Sequence, residues 1–288
     1  MKKHCNDEAR RLLEGIEEAE AIVVGAGSGL STSAGFVYSG ERFERYFADF
    51  IEEYGFTDMY SAGFYPFETP EERWAYWSRY IWYNRYVSTP KDTYEKLLKL
   101  LEGKNYFVLT TNVDHQFQRV GFPKECLFYT QGDYGLWQCS VPCHARTYDN
   151  YETVKLMMEE QRDMRVPSEL VPRCPKCGTE MSMNLRADNS FVEDVGWHEA
   201  ARRYRNFTEA NSRGKVLYLE LGVGMNTPVI IKYPFWQNTL ANSQATYACI
   251  NYGEAYAPTQ IKNRSILINA DIDAVLSELL EMADHKEA

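Results

Sequence analysis

Ala21-Ile22-Val23-Val24-Gly25-Ala26-Gly27-Ser28-Gly29 is the stretch that decides the fold. A short unbroken apolar run predicts a strand buried on both faces. The glycines that follow predict a tight turn into a helix. Before the run, residues 7–19 read as a helix with Leu12, Leu13 and Ile16 on one face. A buried strand that enters a glycine-rich turn and then a helix opens a doubly wound nucleotide-binding unit. Further strand-like runs stand at 106–110, 127–129, 216–221, 246–250 and 265–268, with helices predicted over 91–102 and 272–282. Strands alternating with helices predict an α/β fold, a doubly wound, Rossmann-like parallel sheet.

Two stretches interrupt this alternation. Residues 43–86 are dense in aromatics, and Thr69-Pro70-Glu71-Glu72 predicts a helix start there. Thr69 suits the N-cap, Pro70 the first turn, and Glu72 the far side of a capping box. Trp74, Trp77 and Ile81 then share a face, which predicts a helical module packed on the sheet rather than a ligand platform. Residues 138–195 form the second insertion, polar and helical in the middle. It carries Cys139-x3-Cys143 and, after 30 residues, Cys174-x2-Cys177. Two close pairs separated by an insertion predict a structural four-cysteine zinc site rather than four unrelated thiols. His144 beside Cys143 is an alternative ligand and is expected at the surface. Cys126 and Cys249 sit in or beside apolar runs and read as core thiols.

Composition narrows the function. The chain has 288 residues, 41 acidic and 31 basic, with a net charge of −10. That balance disfavours binding to a nucleic-acid backbone. No apolar run approaches the roughly 20 residues of a membrane helix. Residues 1–8 lack the apolar segment of a secretory signal. A cytoplasmic protein with reduced thiols is expected, without nucleic-acid or membrane partners.

Five segments, in order, resemble the sirtuin family of NAD-consuming enzymes. They are Gly25-Ala26-Gly27 with Leu30-Ser31-Thr32-Ser33-Ala34-Gly35; Thr111-Asn112-Val113-Asp114-His115; the two cysteine pairs; Leu221-Gly222-Val223-Gly224-Met225; and Ile250-Asn251. The departures point to one branch. Ser28-Gly29 looks like an insertion, Val37-Tyr38-Ser39-Gly40 stands where the family has Pro-Asp-Phe-Arg, and Gln131-Gly132 replaces the catalytic His-Gly. The arrangement resembles the class M sirtuins, macrodomain-linked protein ADP-ribosyltransferases. Tyr134 to Cys139 and Asn184 to Asp188 fit that branch better than the deacylases.

The resemblance implies one sirtuin-like catalytic domain over 1–288. Its Rossmann-like part is 1–42, 87–137 and 196–288, its helical module 43–86 and its zinc insertion 138–195. NAD is implied as co-substrate and zinc as a structural ion. Amides of Gly25, Ala26, Gly27, Ser28 and Gly29 suit a pyrophosphate at a helix start, and Ser31 adds a hydroxyl. Gly222 and Gly224 offer a second close approach, Asn226 and Thr227 a ribose or phosphate contact, and Asn251 the adenosine. Asn112 is implied to position the nicotinamide ribose and Asp114 to bind the carboxamide; either residue also suits a helix cap. His115 invites a role as base but is expected to point elsewhere.

Gln131 separates two reactions. Deacylation needs a base for a ribose hydroxyl, and histidine suits that task. A glutamine amide has no usable pKa. Keeping the NAD site while losing the histidine implies transfer of ADP-ribose to an acceptor, with Asn112, Gln131 and Arg186 as catalytic residues and Asp188 as a weaker candidate. The class M branch further implies a lipoyl-carrier protein, similar to the glycine-cleavage H protein, as acceptor. A macrodomain ADP-ribosyl hydrolase and a lipoate ligase are implied partners. The alternative is an NAD-dependent lysine deacylase with a substitute base.

Overall fold

The computed structural model describes residues 2–225 and 228–287. Nine strands follow in chain order: β1 (Ala21–Ala26), β2 (Tyr106–Thr110), β3 (Leu127–Tyr129), β4 (Gly132–Cys139), β5 (Tyr148–Asp149), β6 (Met181–Leu185), β7 (Val216–Leu221), β8 (Thr246–Ile250) and β9 (Ser265–Ile268). Six form a wholly parallel sheet in the order β3-β2-β1-β7-β8-β9. This is the doubly wound order, in which the winding reverses between β1 and β7. Every residue of β1 and β7 is buried, because helices cover both faces.

Helices α1 (Lys2–Glu18), α2 (Ser28–Ser33), α6 (Thr93–Leu100), α7 (Gln116–Arg119) and α11 (Ile272–Glu287) serve one face. Leu12, Leu13 and Ile16 pack there with Val275, Leu276 and Leu279. Helices α9 (Val195–Ala210) and α10 (Lys232–Ala241) cover the other face. Beneath α10, Lys232 pairs with Glu220 of β7 with both side chains fully buried, and Tyr247 donates to the same carboxylate at 2.6 Å. None of the described helices is long and apolar enough to cross a membrane.

A second lobe contains α3 (Glu41–Tyr54), α4 (Met59–Ala62), α5 (Pro70–Ile81), α8 (Tyr151–Glu160) and the antiparallel sheet β5-β4-β6. One apolar cluster runs through it. Phe43, Phe47, Trp74 and Tyr80 from the helices meet Trp137, Val154, Cys139 and Cys174 from the cysteine insertion. Its two parts, separate in sequence, therefore share a core.

The helix start at Thr69 forms as only half of the predicted capping box. Thr69 Oγ1 accepts from Glu72 N at 3.3 Å, while the Glu72 carboxylate takes the Tyr54 hydroxyl in the core instead of reaching back. Glu72 is buried, and a buried carboxylate needs a donor, a demand that outweighs the local one. Helix α5 then widens into a π turn, Trp82–Tyr86, which the sequence patterning does not reveal. Such turns re-aim side chains and often accompany sites. This one sets Arg85 on Asp133 and Tyr86 on Asn150.

Candidate active site

The strand register brings the carboxyl ends of β1, β2 and β7 level, with Ala26 beside Thr110 and Leu221. The loops leaving them cross almost backbone to backbone. A Cβ on Gly27 would lie 2.7 Å from the Gly222 carbonyl oxygen, and one on Gly29 would lie 2.7 Å from Gly222 Cα. Gly222 itself has φ +62°, a conformation glycine adopts without steric cost. The predicted use of these glycines changes accordingly. Gly27 N donates to Leu221 O and Gly29 N to Gly222 O, each at 3.0 Å, so neither amide is left for a phosphate. Gly25 faces α10, where a Cβ would strike Ile231 and Phe235. Of the predicted cradle, Ser28 is exposed at the start of α2, whereas Ala26 is buried in β1.

Asn112 and Asp114 follow β2 into a crevice whose lining includes Thr110, Asn112, Asp114, His115, Gly132 and Asp133. Thr110 Oγ1 accepts from Asn112 N at 3.0 Å. Asn112 Nδ2 donates to Gly27 O at 3.0 Å and Ser31 Oγ at 3.1 Å, which leaves Oδ1 turned to other donors. Ser31 Oγ donates to Asp114 Oδ2 at 2.5 Å and meets Tyr94 Oη at 2.9 Å. Burial pushes the Asp114 carboxyl up to about 6; the Ser31 and Gln116 N contacts only partly offset it, and the charge of Asp133 adds to the rise. The helix-cap role also open from sequence is met in part: Asp114 Oδ1 accepts from Gln116 N, the first amide of α7, at 3.3 Å, while the N-cap position itself is His115, with φ +62°.

Asp133 and Tyr94 did not stand out in the sequence. Asp133 Oδ2 accepts from His115 Nδ1 at 2.5 Å, and Oδ1 accepts from Arg85 Nε and Gly135 N, each at 2.7 Å. Burial pushes its carboxyl up, but His115 and Arg85 outweigh that and hold it below the ordinary range. His115, expected to point elsewhere, thus lines the crevice with its ring fixed. The only sequence signal for Asp133 was its place two residues beyond Gln131.

Gln131 and Arg186 come together through the backbone, Arg186 N donating to Gln131 O at 3.0 Å. The Arg186 guanidinium, however, lies 4.2 Å from the centre of the Phe191 ring and bonds Glu193 Oε1 at 2.5 Å, on an exposed surface. Asp188 is also exposed and closes a turn on Ser190 N. Asn251 Nδ2 donates to Val223 O at 3.0 Å, so its side chain braces the loop after β7, where Gly224 is half-buried. Asn226 and Thr227 lie outside the described residues.

The four cysteines converge, all sulfurs lying within 4.8 Å of one another. Cys139 and Cys177 stand 3.5 Å apart and Cys143 and Cys174 3.7 Å. Tetrahedral thiolates at a zinc–sulfur distance of about 2.3 Å stand about 3.8 Å apart, so the set fits zinc with no open position. His144 contacts Cys143 Sγ through Nδ1 at 3.0 Å and Tyr148 Oη through Nε2 at 2.7 Å, behind the ligand set.

No family model matches the chain. It is 41% identical to a protein ADP-ribosyltransferase of Staphylococcus aureus over 274 residues, covering 95% of this chain and 87% of that protein. The chain belongs to this ADP-ribosyltransferase family. It is also 31% identical to a probable bifunctional ADP-ribose hydrolase/ADP-ribosyltransferase of Fusarium oxysporum f. sp. cubense, spanning 93% of this chain and 47% of that longer protein. The fold is that of the sirtuins. Sir2Tm bound to a propionylated peptide superposes with a TM-score of 0.63 at 20% identity, over 96% of this chain and 98% of that one. A Sir2–p53 peptide–NAD+ complex gives 0.63 at 22% identity, with the same coverage. This family member sets its crevice at the carboxyl ends of β2 and β3 in a sirtuin fold.

Proposed function

We propose that this chain is an NAD-dependent protein mono-ADP-ribosyltransferase of the class M type, acting on a lipoylated carrier protein with release of nicotinamide. The observation that carries the reading is the 41% identity to a protein ADP-ribosyltransferase over nearly the whole chain. NAD supplies an ADP-ribosyl group joined to a cationic leaving group. The chain's own residues supply orientation and charge. Asn112, braced by Gly27 and Ser31, presents its amide oxygen to the ribose. A carboxylate near the ribosyl carbon favours the positive charge that develops as the glycosidic bond opens. Asp114, with its carboxyl pushed to about 6, stands ionised above neutral pH to do this. The lipoyl carrier, the macrodomain hydrolase and the lipoate ligase follow from the class M resemblance. The bifunctional Fusarium relative, which joins the two ADP-ribose activities by name, supports the hydrolase link.

A second reading, lysine deacylation, is favoured by the solved structures of this fold that hold acylated peptides and by a crevice histidine fixed on a carboxylate. One experiment separates the two. Labelled NAD is offered with a carrier protein, with and without its lipoyl group, beside an acyl-lysine peptide. Label on the lipoylated carrier, an inert peptide, and a loss of about 100-fold in Asn112→Ala support the transferase. Peptide deacylation without protein labelling replaces it with the deacylase.

A further inference from the structure

We propose that His115, oriented by Asp133, is the general base of the transfer, its Nε2 taking the proton of the acceptor as the acceptor attacks the ribosyl carbon. The inference rests on the transferase reading and deepens it. An acceptor X–H that bonds to C1′ must shed its proton. The C1′–N bond breaks with its electron pair leaving on neutral nicotinamide, the X–C1′ bond forms, and the proton passes from X to Nε2. Gln131 cannot take it, because an amide has no usable basicity.

The crevice holds four titratable groups, Asp114, His115, Tyr129 and Asp133. Asp114 has both oxygens engaged, with Ser31 and Gln116 N. Asp133 has both oxygens engaged, with His115, Arg85 and Gly135 N, and its side chain is 4% exposed. Tyr129 is pushed up to about 12 by burial and keeps its proton. Asp114 and Asp133 are buried and Tyr129 is half-buried but holds its proton, whereas the His115 side chain is partly open, 27% exposed. Its Nδ1–H donates to Asp133, which leaves Nε2 as the acceptor nitrogen. Nε2 has no hydrogen-bond partner among the described residues.

Two further features hold the ring there. Asp133 is itself fixed by Arg85, which the π turn delivers. His115 also occupies the left-handed region, φ +62°, a conformation that costs most side chains about 1–2 kcal/mol. A carboxylate on Nδ1 fixes the tautomer and stabilises the imidazolium that forms, the division of labour seen in hydrolase triads.

The test uses His115→Asn, since asparagine tolerates the left-handed backbone. Transfer to the carrier should fall about 100-fold or more. Azide is an anion with no proton to lose, so trapping of the ADP-ribosyl group by azide should proceed as in the wild type. Asp133→Asn supplies a readout independent of turnover. Spectra of 15N-histidine-labelled free protein above neutral pH should place the wild-type His115 proton on Nδ1, and the variant should lose that preference. Unchanged carrier transfer in His115→Asn, or azide trapping lost in step with it, overturns the proposal. So does a wild-type proton on Nε2. A wild type that releases no nicotinamide with any acceptor overturns the transferase reading beneath it.

Discussion

Asp114 and Asp133 line the same crevice, each nearly buried, and the protein treats them oppositely. Asp114 is surrounded by a hydroxyl and a backbone amide, with no cation bonded to it. Burial raises its carboxyl to about 6, and the charge of Asp133 adds to the rise. Asp133 suffers the same burial but has Arg85 and His115 against its two oxygens, and its carboxyl is held below the ordinary range. Burial alone therefore does not set the state of a carboxylate here; the neighbouring cation does. Environments that push two acids apart in one site commonly mark different roles. Asp114 is poised near neutrality beside Asn112, whereas Asp133 is a permanent anion that anchors a guanidinium and an imidazole.

The largest effect expected from this contrast is on stability. Asp133→Asn leaves the Arg85 guanidinium, 12% exposed, without its counter-ion. Breaking a buried pair from one side costs about 3–5 kcal/mol. The sign follows from the depressed carboxyl. Its stabilisation is complete above the unfolded value of about 4 and is lost as pH falls through the lower folded value. Urea unfolding at neutral pH should therefore show the full deficit, which narrows only in strong acid. Equal stability of variant and wild type at neutral pH would break the comparison.

Much of the framework was legible in the sequence. Runs such as 21–24 and 216–221 are apolar throughout because both faces of those strands are covered, and that pattern survives without tertiary information. The cysteine spacing behaves likewise, since each pair is close in sequence, one at the end of β4 and one on the turn closed by Gly178 N on Cys174 O. The crevice was less legible. Gly27, Gly29 and Gly222 read as a ligand cradle, yet their missing side chains serve the crossing of two loops far apart in sequence. Arg186 reads as a cleft cation, but Glu193 and the rings of Phe191 and Trp197 hold it at the surface. Asp133 escaped notice because its role depends on Arg85, which arrives through a π turn with no periodic signature.

Asp114→Asn should have the opposite sign to Asp133→Asn. The Asp114 carboxyl is near 6 when folded and 3.8 in its ordinary state. Between those values the folded protein holds the extra proton, so stability falls as pH rises through the window. A neutral amide removes that loss. Above neutral pH the variant should be more stable than the wild type, by up to about 3 kcal/mol, and the gain should vanish below about pH 4. At neutral pH and above, where wild-type Asp114 is ionised, the variant should lose NAD-dependent activity. A variant less stable than the wild type at neutral pH would show that Ser31 and Gln116 stabilise the anion more than burial opposes it.

The smallest effect sharpens the contrast from outside the crevice. Arg186 and Glu193 repeat the chemistry of Arg85 and Asp133 with about a third of each side chain exposed. Exposed pairs contribute about 0–1 kcal/mol and are screened by salt. Glu193→Gln should therefore lower stability by less than about 1 kcal/mol, and salt near 1 M should erase the difference. The same salt should leave most of the Asp133→Asn deficit, because a buried pair is screened far less. Arg186→Ala adds a functional arm. If the guanidinium only caps the surface beside Phe191, transfer should follow stability and hardly change. A fall of about tenfold or more without loss of stability would mean that Arg186 leaves Glu193 and stabilises charge in the crevice during turnover.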